Sequence, residues 1–126
     1  MSADFQGFGS ELASLPGLYA PPAGRLLLAW VDGVAAGTAA LRPLSEGACE
    51  AKRLFVRPAY RGLRLGRMLL DRLIEEARAA GYREMCCDTL QSMTEAQRMY
   101  RKAGFADVEP YSANPTPGAL FFRLAL

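Results

Sequence analysis

Two rhythms of apolar and polar residues run along this chain, and the change from one to the other marks its elements. Leu26-Leu-Leu-Ala-Trp-Val31 reads as a buried strand by its continuous apolar run, and Asp32-Gly33 is a hairpin turn signal leading into a second strand, Val34 to Leu41. Pro43 to Gly47 turns the chain again into a third strand, Ala48 to Val56, which Pro58 ends because proline has no N–H to give a ladder. Near Arg64 the period becomes helical. Leu65, Met68, Leu69, Leu73, Ala77 and Ala80 share one face, Arg67, Asp71, Arg72, Glu75, Glu76 and Arg78 take the other, and Gly81 is the expected left-handed stop.

Arg83 to Leu90 makes the next strand, parallel to the third because a helix crosses between them. Ser92-Met-Thr-Glu95 has the form of a capping box opening a second helix, Met93 to Ala103, which Gly104 stops. Phe105 to Val108 and Ala119 to Leu126 are the closing strands. Ahead of all these, Phe5, Phe8, Leu12 and Leu15 form a weak helical pattern ended by Pro16-Gly17, and Pro21-Pro22 forces an extended link. The expected architecture is an α/β (α+β) fold: a three-strand antiparallel meander, then β-α-β-α-β-β. Its central sheet is mixed and mostly antiparallel, flanked by helices.

Length and composition narrow this picture. A chain of 126 residues, 51% of them hydrophobic, fits one domain spanning 1–126. The chain lacks a run of transmembrane length and a basic N-terminus followed by an apolar stretch, so the expectation is a soluble, cytoplasmic protein with no membrane partner. Cys49, Cys86 and Cys87 have no metal-ligand spacing and there is no histidine, so no metal is expected and the thiols read as reduced core or strand residues.

Charge adds the first chemical signal. From Ala51 to Leu70 the chain carries Lys52, Arg53, Arg57, Arg61, Arg64 and Arg67 and no acidic residue. A helix start has N–H groups without backbone partners and the positive end of the helix dipole, so Arg61 to Arg67 offers donors and charge to a phosphate. Gly62 and Gly66 let such a ligand approach the backbone closely. The net charge is only +2, so the basic cluster is local and argues against a nucleic-acid binder.

Val56-Arg-Pro-Ala-Tyr-Arg-Gly-Leu-Arg-Leu-Gly-Arg67, followed by an amphipathic helix, resembles motif A of the GCN5-related N-acetyltransferases, the GNAT superfamily, usually Gln/Arg-x-x-Gly-x-Gly/Ala. Arg61 and Gly66 fill its first and last positions, while Arg64 stands where the family usually has its middle glycine. Arg64 then either points outward and gives only its N–H, adds a charged contact, or weakens binding. Met99-Tyr-Arg-Lys-Ala-Gly-Phe105 is similar to the family's Leu-Tyr-x-x-x-Gly-Phe, and the resemblance covers about residues 5 to 126. Most members begin with a strand and a helix ahead of Phe5. A small bacterial-type member shortened in this way would leave Leu26 to Val31 as a hydrophobic edge, to be covered by a second subunit in a homodimer or by the N-terminal segment.

The resemblance implies an acetyl-CoA-dependent N-acetyltransferase acting on a small-molecule or peptide amine in a ternary complex. Backbone N–H groups of Leu63, Arg64, Leu65, Gly66 and Arg67, with the Arg61 side chain, would hold the diphosphate. Leu54, Phe55 and Val56, on a bulged strand, would pair with pantetheine and stabilise the oxyanion. Tyr100 falls where many members place a general acid for the CoA sulfur; alternatively it is a helix tyrosine packed at the domain edge. Glu50 matches a strand glutamate that serves some members as base through water, or it forms a structural ion pair with Lys52 or Arg53. Lys52 recognises an acidic substrate group or is a solvated strand lysine, and Tyr19, Tyr111 and Asn114 line the acceptor pocket by analogy. The other readings are a non-catalytic CoA-binding regulatory module and a nucleic-acid-binding domain. A hydrolase is disfavoured, since no histidine is present to activate a nucleophile.

Overall fold

A computed structural model describes residues 19–111 and 117–126. The helical pattern through Phe5 and Leu15, and Asn114, lie outside the described residues. The elements in order are β1 (Arg25–Val31), β2 (Val34–Ser45), β3 (Ala48–Val56), a short 3-10 turn (Pro58–Tyr60), α1 (Leu65–Ala79), β4 (Glu84–Thr89), α2 (Thr94–Lys102), β5 (Ala106–Val108) and β6 (Leu120–Ala125). They form a six-stranded sheet in the order β1-β2-β3-β4-β6-β5. Every neighbouring pair is antiparallel except β3 and β4, which α1 joins in parallel.

One face of the sheet is apolar and meets α1 and α2. Leu41, Cys49, Met85, Cys87 and Phe122 from the strands pack there with Leu70, Leu73 and Ala77 of α1. The three cysteines are buried and unpaired, and burial pushes the Cys49 thiol up to about 12, so it behaves as an inert apolar side chain. On edge strand β1 the alternation exposes Leu26, Leu28 and Trp30 together on the opposite face. The continuous apolar run reads as a buried strand, but β1 pairs only with β2 at the sheet edge, and no described element covers this face.

Local chemistry differs from the sequence expectation in three places. Pro43 lies inside β2, which runs on to Ser45, and the turn narrows to Glu46-Gly47. The register slips between Pro43 and Ser45, the kind of irregularity at which a strand accommodates a residue without an N–H. Ser92 does not cap α2: the helix starts at Thr94, its N-cap Met93 makes no side-chain cap bond, and the Gln97 amide instead donates to the carbonyls of Leu90 and Gln91. Residues 21–23 form a turn where an extended link was expected, with the Gly24 N–H on the Ala20 carbonyl and the Arg25 side chain donating to Pro22 and Gly24.

A bulge redirects the second half of β3. Thr38 pairs with Phe55 but Ala40 pairs with Lys52, so Ala39 faces an extra residue, and Arg53 takes a left-handed φ of 57°. The Thr38 hydroxyl donates to the Arg53 carbonyl and pins the bulge. Gly37 sits against it without room for a side chain: an added Cβ would lie 2.9 Å from the Phe55 carbonyl oxygen and 3.1 Å from Leu69 Cδ1. Gly37→Ala is therefore expected to destabilise the fold by about 1–3 kcal/mol through overpacking, read from the midpoint of urea unfolding.

Candidate functional site

The parallel pairing of β3 with β4 covers only Ala48–Glu84, Cys49–Met85 and Glu50–Cys86. Beyond Glu50 the two strands part, and the bulge at Arg53 turns β3 further along its new course. The result is a V-shaped split in the middle of the sheet, closed near Glu50 and open toward the ends of both strands.

At the open end lies a cavity of about 650 Å³. Leu54, Phe55 and Val56 supply its β3 wall, and Met93, Thr94, Ala96 and Met99 its α2 wall. Its floor is the turn into α1, contributed by Arg61, Gly62, Arg64, Leu65, Gly66 and Arg67. The first turn of α1 holds no acidic residue and its N-cap makes no side-chain bond, so the N–H groups of Leu65, Gly66 and Arg67 are left for another acceptor. Arg64 occupies that N-cap in the left-handed conformation, φ 63° and ψ 19°, the geometry a glycine takes without strain. Gly62 is also left-handed, at φ 90°. A Cβ on Gly66 would meet only Met99 Sδ at 3.6 Å and Val56 Cγ2 at 3.8 Å, so the fold tolerates one while the cavity would lose the space. Arg61 ties the turn to β3, donating from Nε to the Val56 carbonyl at 3.0 Å with its guanidinium 5.4 Å over the Phe55 ring.

At the closed end, on the sheet face away from the helices, four charges form a row across three strands. Arg42 of β2 reaches Glu50 Oε1 through Nε at 3.1 Å and Nη2 at 2.9 Å. Lys52 Nζ stands 3.6 Å from Glu50 Oε2 and 3.4 Å from Asp88 Oδ1, bridging β3 and β4 where their pairing has ended. The Tyr111 hydroxyl donates to Glu50 Oε2 at 3.0 Å, and its ring meets Phe121 edge-on. Burial, then the nearby Glu50 and Asp88, raise the Tyr111 phenol far above its ordinary range and keep it a donor.

Residues 3–105 match the acetyltransferase (GNAT) family. This chain belongs to that family. It is 41% identical to an uncharacterized N-acetyltransferase of Schizosaccharomyces pombe over the whole of this chain and 78% of that protein. Among solved structures, a Klebsiella pneumoniae acyl-CoA N-acyltransferase-type protein superposes with a TM-score of 0.78 at 26% identity, over 94% of this chain and 83% of that one. A Salmonella typhimurium protein solved with its cofactor acetyl-CoA superposes with a TM-score of 0.67 at 26% identity, over 79% of this chain and 63% of that one. The chain is thus a GNAT acetyltransferase, an enzyme of a family that uses acetyl-CoA.

Against this GNAT frame, nine of the ten expected cofactor residues line the cavity, and Leu63 is exposed outside its lining. Tyr100 does not line it. Its ring packs between Phe105 and Phe122, and its hydroxyl shares a hydrogen bond with the Cys87 thiol; burial first, then Cys87 and Asp88, raise that phenol well above its ordinary value. Glu50, Lys52 and Tyr111 come together at the closed end, whereas Tyr19 belongs to the buried core. Arg42 and Asp88 join the same cluster, although neither carries a motif that singles it out in the sequence. The strand register alone would have found both, since Arg42 faces Glu50, and extending the β3–β4 register sets Asp88 beside Lys52. No group of His, Cys, Asp and Glu among the described residues would hold a metal ion, and no described helix is long and apolar enough to cross a membrane.

Glu50 is buried, with a side-chain exposure of 3%, and every oxygen it has is already engaged. Removing it would take the acceptor from the Arg42 guanidinium and the Tyr111 hydroxyl and leave Lys52 with Asp88. Glu50→Ala is expected to cost about 3 kcal/mol in chemical denaturation. Breaking the exposed Arg67–Asp71 pair should cost under about 0.5 kcal/mol.

Proposed function

We propose that this enzyme moves the acetyl group of acetyl-CoA to an amine of a small molecule or peptide by direct attack in a ternary complex. The observation that carries the reading is the split, with a phosphate-ready helix start at its open end and a charged cluster at its closed end. The diphosphate would rest on the N–H groups of Leu65, Gly66 and Arg67 at the positive end of α1, with Arg61 and Arg64 beside it. The pantetheine arm would run along Leu54 to Val56, whose edge turns away from β4. The thioester carbonyl would then lie near the bulge, where a main-chain N–H stabilises the developing oxyanion.

The amine nitrogen forms its bond to the carbonyl carbon, the carbon–sulfur bond breaks, and CoA departs as the thiol with a proton that the amine has lost. Glu50 is poorly arranged to take that proton, because a proton on either oxygen would displace Arg42 or Tyr111. Its geometry favours a positioning role. Asp88, across the split and 3.4 Å from Lys52, would be the carboxylate to receive that proton. Tyr100 lies outside the cavity lining with its hydroxyl on Cys87, so it would serve the departing sulfur only by exchanging that partner, and through a hydrogen bond rather than complete transfer, since a phenol raised above its usual range is a weaker acid than a thiol. The apolar outer face of β1 supports a homodimer built on that edge, and the small net charge of +2 supports an enzyme without nucleic-acid partners.

Thermal unfolding with acetyl-CoA, CoA or ATP tests the cofactor half of this reading. At one hundred times its dissociation constant, acetyl-CoA should stabilise the protein by about 2.7 kcal/mol, CoA should act similarly and ATP weakly. Gly66→Glu should abolish the shift while the unliganded melting temperature stays close to that of the parent. No shift in the parent protein would sink the proposal. For the sulfur, Tyr100→Phe should lower kcat by about tenfold and leave the acetyl-CoA shift intact, whereas equal turnover would leave Tyr100 a packing residue only.

A further inference from the structure

We propose that the acceptor carries a carboxylate close to its amine, as a free amino acid does, and that Lys52 receives that carboxylate at the closed end of the split. The inference rests on the acetyl-transfer reading above and names the substrate class for the same site. Arg42, Glu50, Lys52 and Asp88 alternate in sign and sum to zero, two positive and two negative. A purely cationic acceptor would meet as many cations as carboxylates there. An acceptor with one charge of each sign finds its complement on both sides.

Lys52 is the member of the row with donors to spare. An ammonium has three N–H donors, yet its contacts among the described residues lie at 3.4 Å and 3.6 Å, longer than the roughly 2.7–2.9 Å of a close charge-assisted bond. Arg42, by contrast, directs two donors onto Glu50 at short range. A ligand carboxylate would therefore gain a close ion pair with Lys52 without breaking one. The Lys52 side chain is 21% exposed against 3% for Glu50, so it is the cation that an arriving ligand can reach. Asp88 stands 3.4 Å away, a separation comparable to that between the two charges of an α-amino acid, and would face the acceptor's ammonium. Glu50 acts here through Lys52, Arg42 and Tyr111 as a positioning residue.

The test offers free L-amino acids, β-alanine and 4-aminobutyrate, beside their carboxamides and the matching amines without a carboxylate, each with acetyl-CoA, and measures the N-acetyl product by mass. At least one free acid should be acetylated with kcat/KM about tenfold or more above its amide and amine. Lys52→Met should bring that acid down to the level of its amide by raising KM, with kcat and the acetyl-CoA thermal shift little changed, and Lys52→Arg should restore most of the difference. The proposal is overturned if amides or plain amines react as well as the acids. It is equally overturned if no free acid reacts in a protein that acetyl-CoA stabilises, or if Lys52→Met lowers acid and amide alike. Absence of the acetyl-CoA shift in the parent protein would instead overturn the acetyl-transfer reading and the proposal with it.

Discussion

Three register pairs hold β3 to β4, and the place where they stop decides what the rest of the molecule has to do. A sheet normally keeps its backbone groups paired, because a buried N–H or carbonyl without a partner is costly. Here β3 loses its β4 neighbour in the middle of the sheet but keeps β2, which stays with it as far as Gly37–Val56. The bulge at Arg53, the Thr38 hydroxyl and the side-chain-free Gly37 are what allow one strand to follow β2 while leaving β4. The cavity and the charged cluster are the two ends of that divergence, so neither exists without it.

The helix start depends on the same geometry. α1 begins just past the end of β3, and Arg61 bonds the Val56 carbonyl, so the orphan N–H groups of the first turn are aimed at the open end of the split. Arg64 holds a left-handed N-cap at a cost of about 1–2 kcal/mol for a residue with a Cβ. What the chain gains for that strain is a cation on the cavity wall where a glycine would give only backbone.

Most of the fold was legible because it is written in period and punctuation. The Asp32-Gly33 turn, the helical spacing after Arg64 and the glycine stops at Gly81 and Gly104 all have positive-φ or periodic causes that act locally. Pro43 and Ser92 misled for different reasons: strand pairing with a register slip carries β2 past Pro43, while at Ser92 the helix starts later and the Gln97 amide holds the preceding turn locally. The β3 and helix-start walls of the cavity were readable since they form one contiguous stretch, whereas the α2 wall of Met93, Thr94, Ala96 and Met99 is brought in by the fold. The charged cluster was only half readable, because Arg42, Glu50, Lys52, Asp88 and Tyr111 come from four separate segments. What joins them is strand register, and no single segment states it.

That second cluster also has an energetic logic. The helix-facing side of the sheet is apolar and dense, whereas the opposite face buries a carboxylate almost completely beneath a row of opposed charges. Buried ion pairs of this kind seldom outperform well-packed apolar side chains in stability, since desolvation consumes most of the Coulombic gain. Their stronger effect is on geometry. Glu50 fixes Arg42 from β2, Lys52 on its own strand and Tyr111 from the segment after β5, so three chain segments are registered on one carboxylate. The segment after β5 is thereby tied to β3.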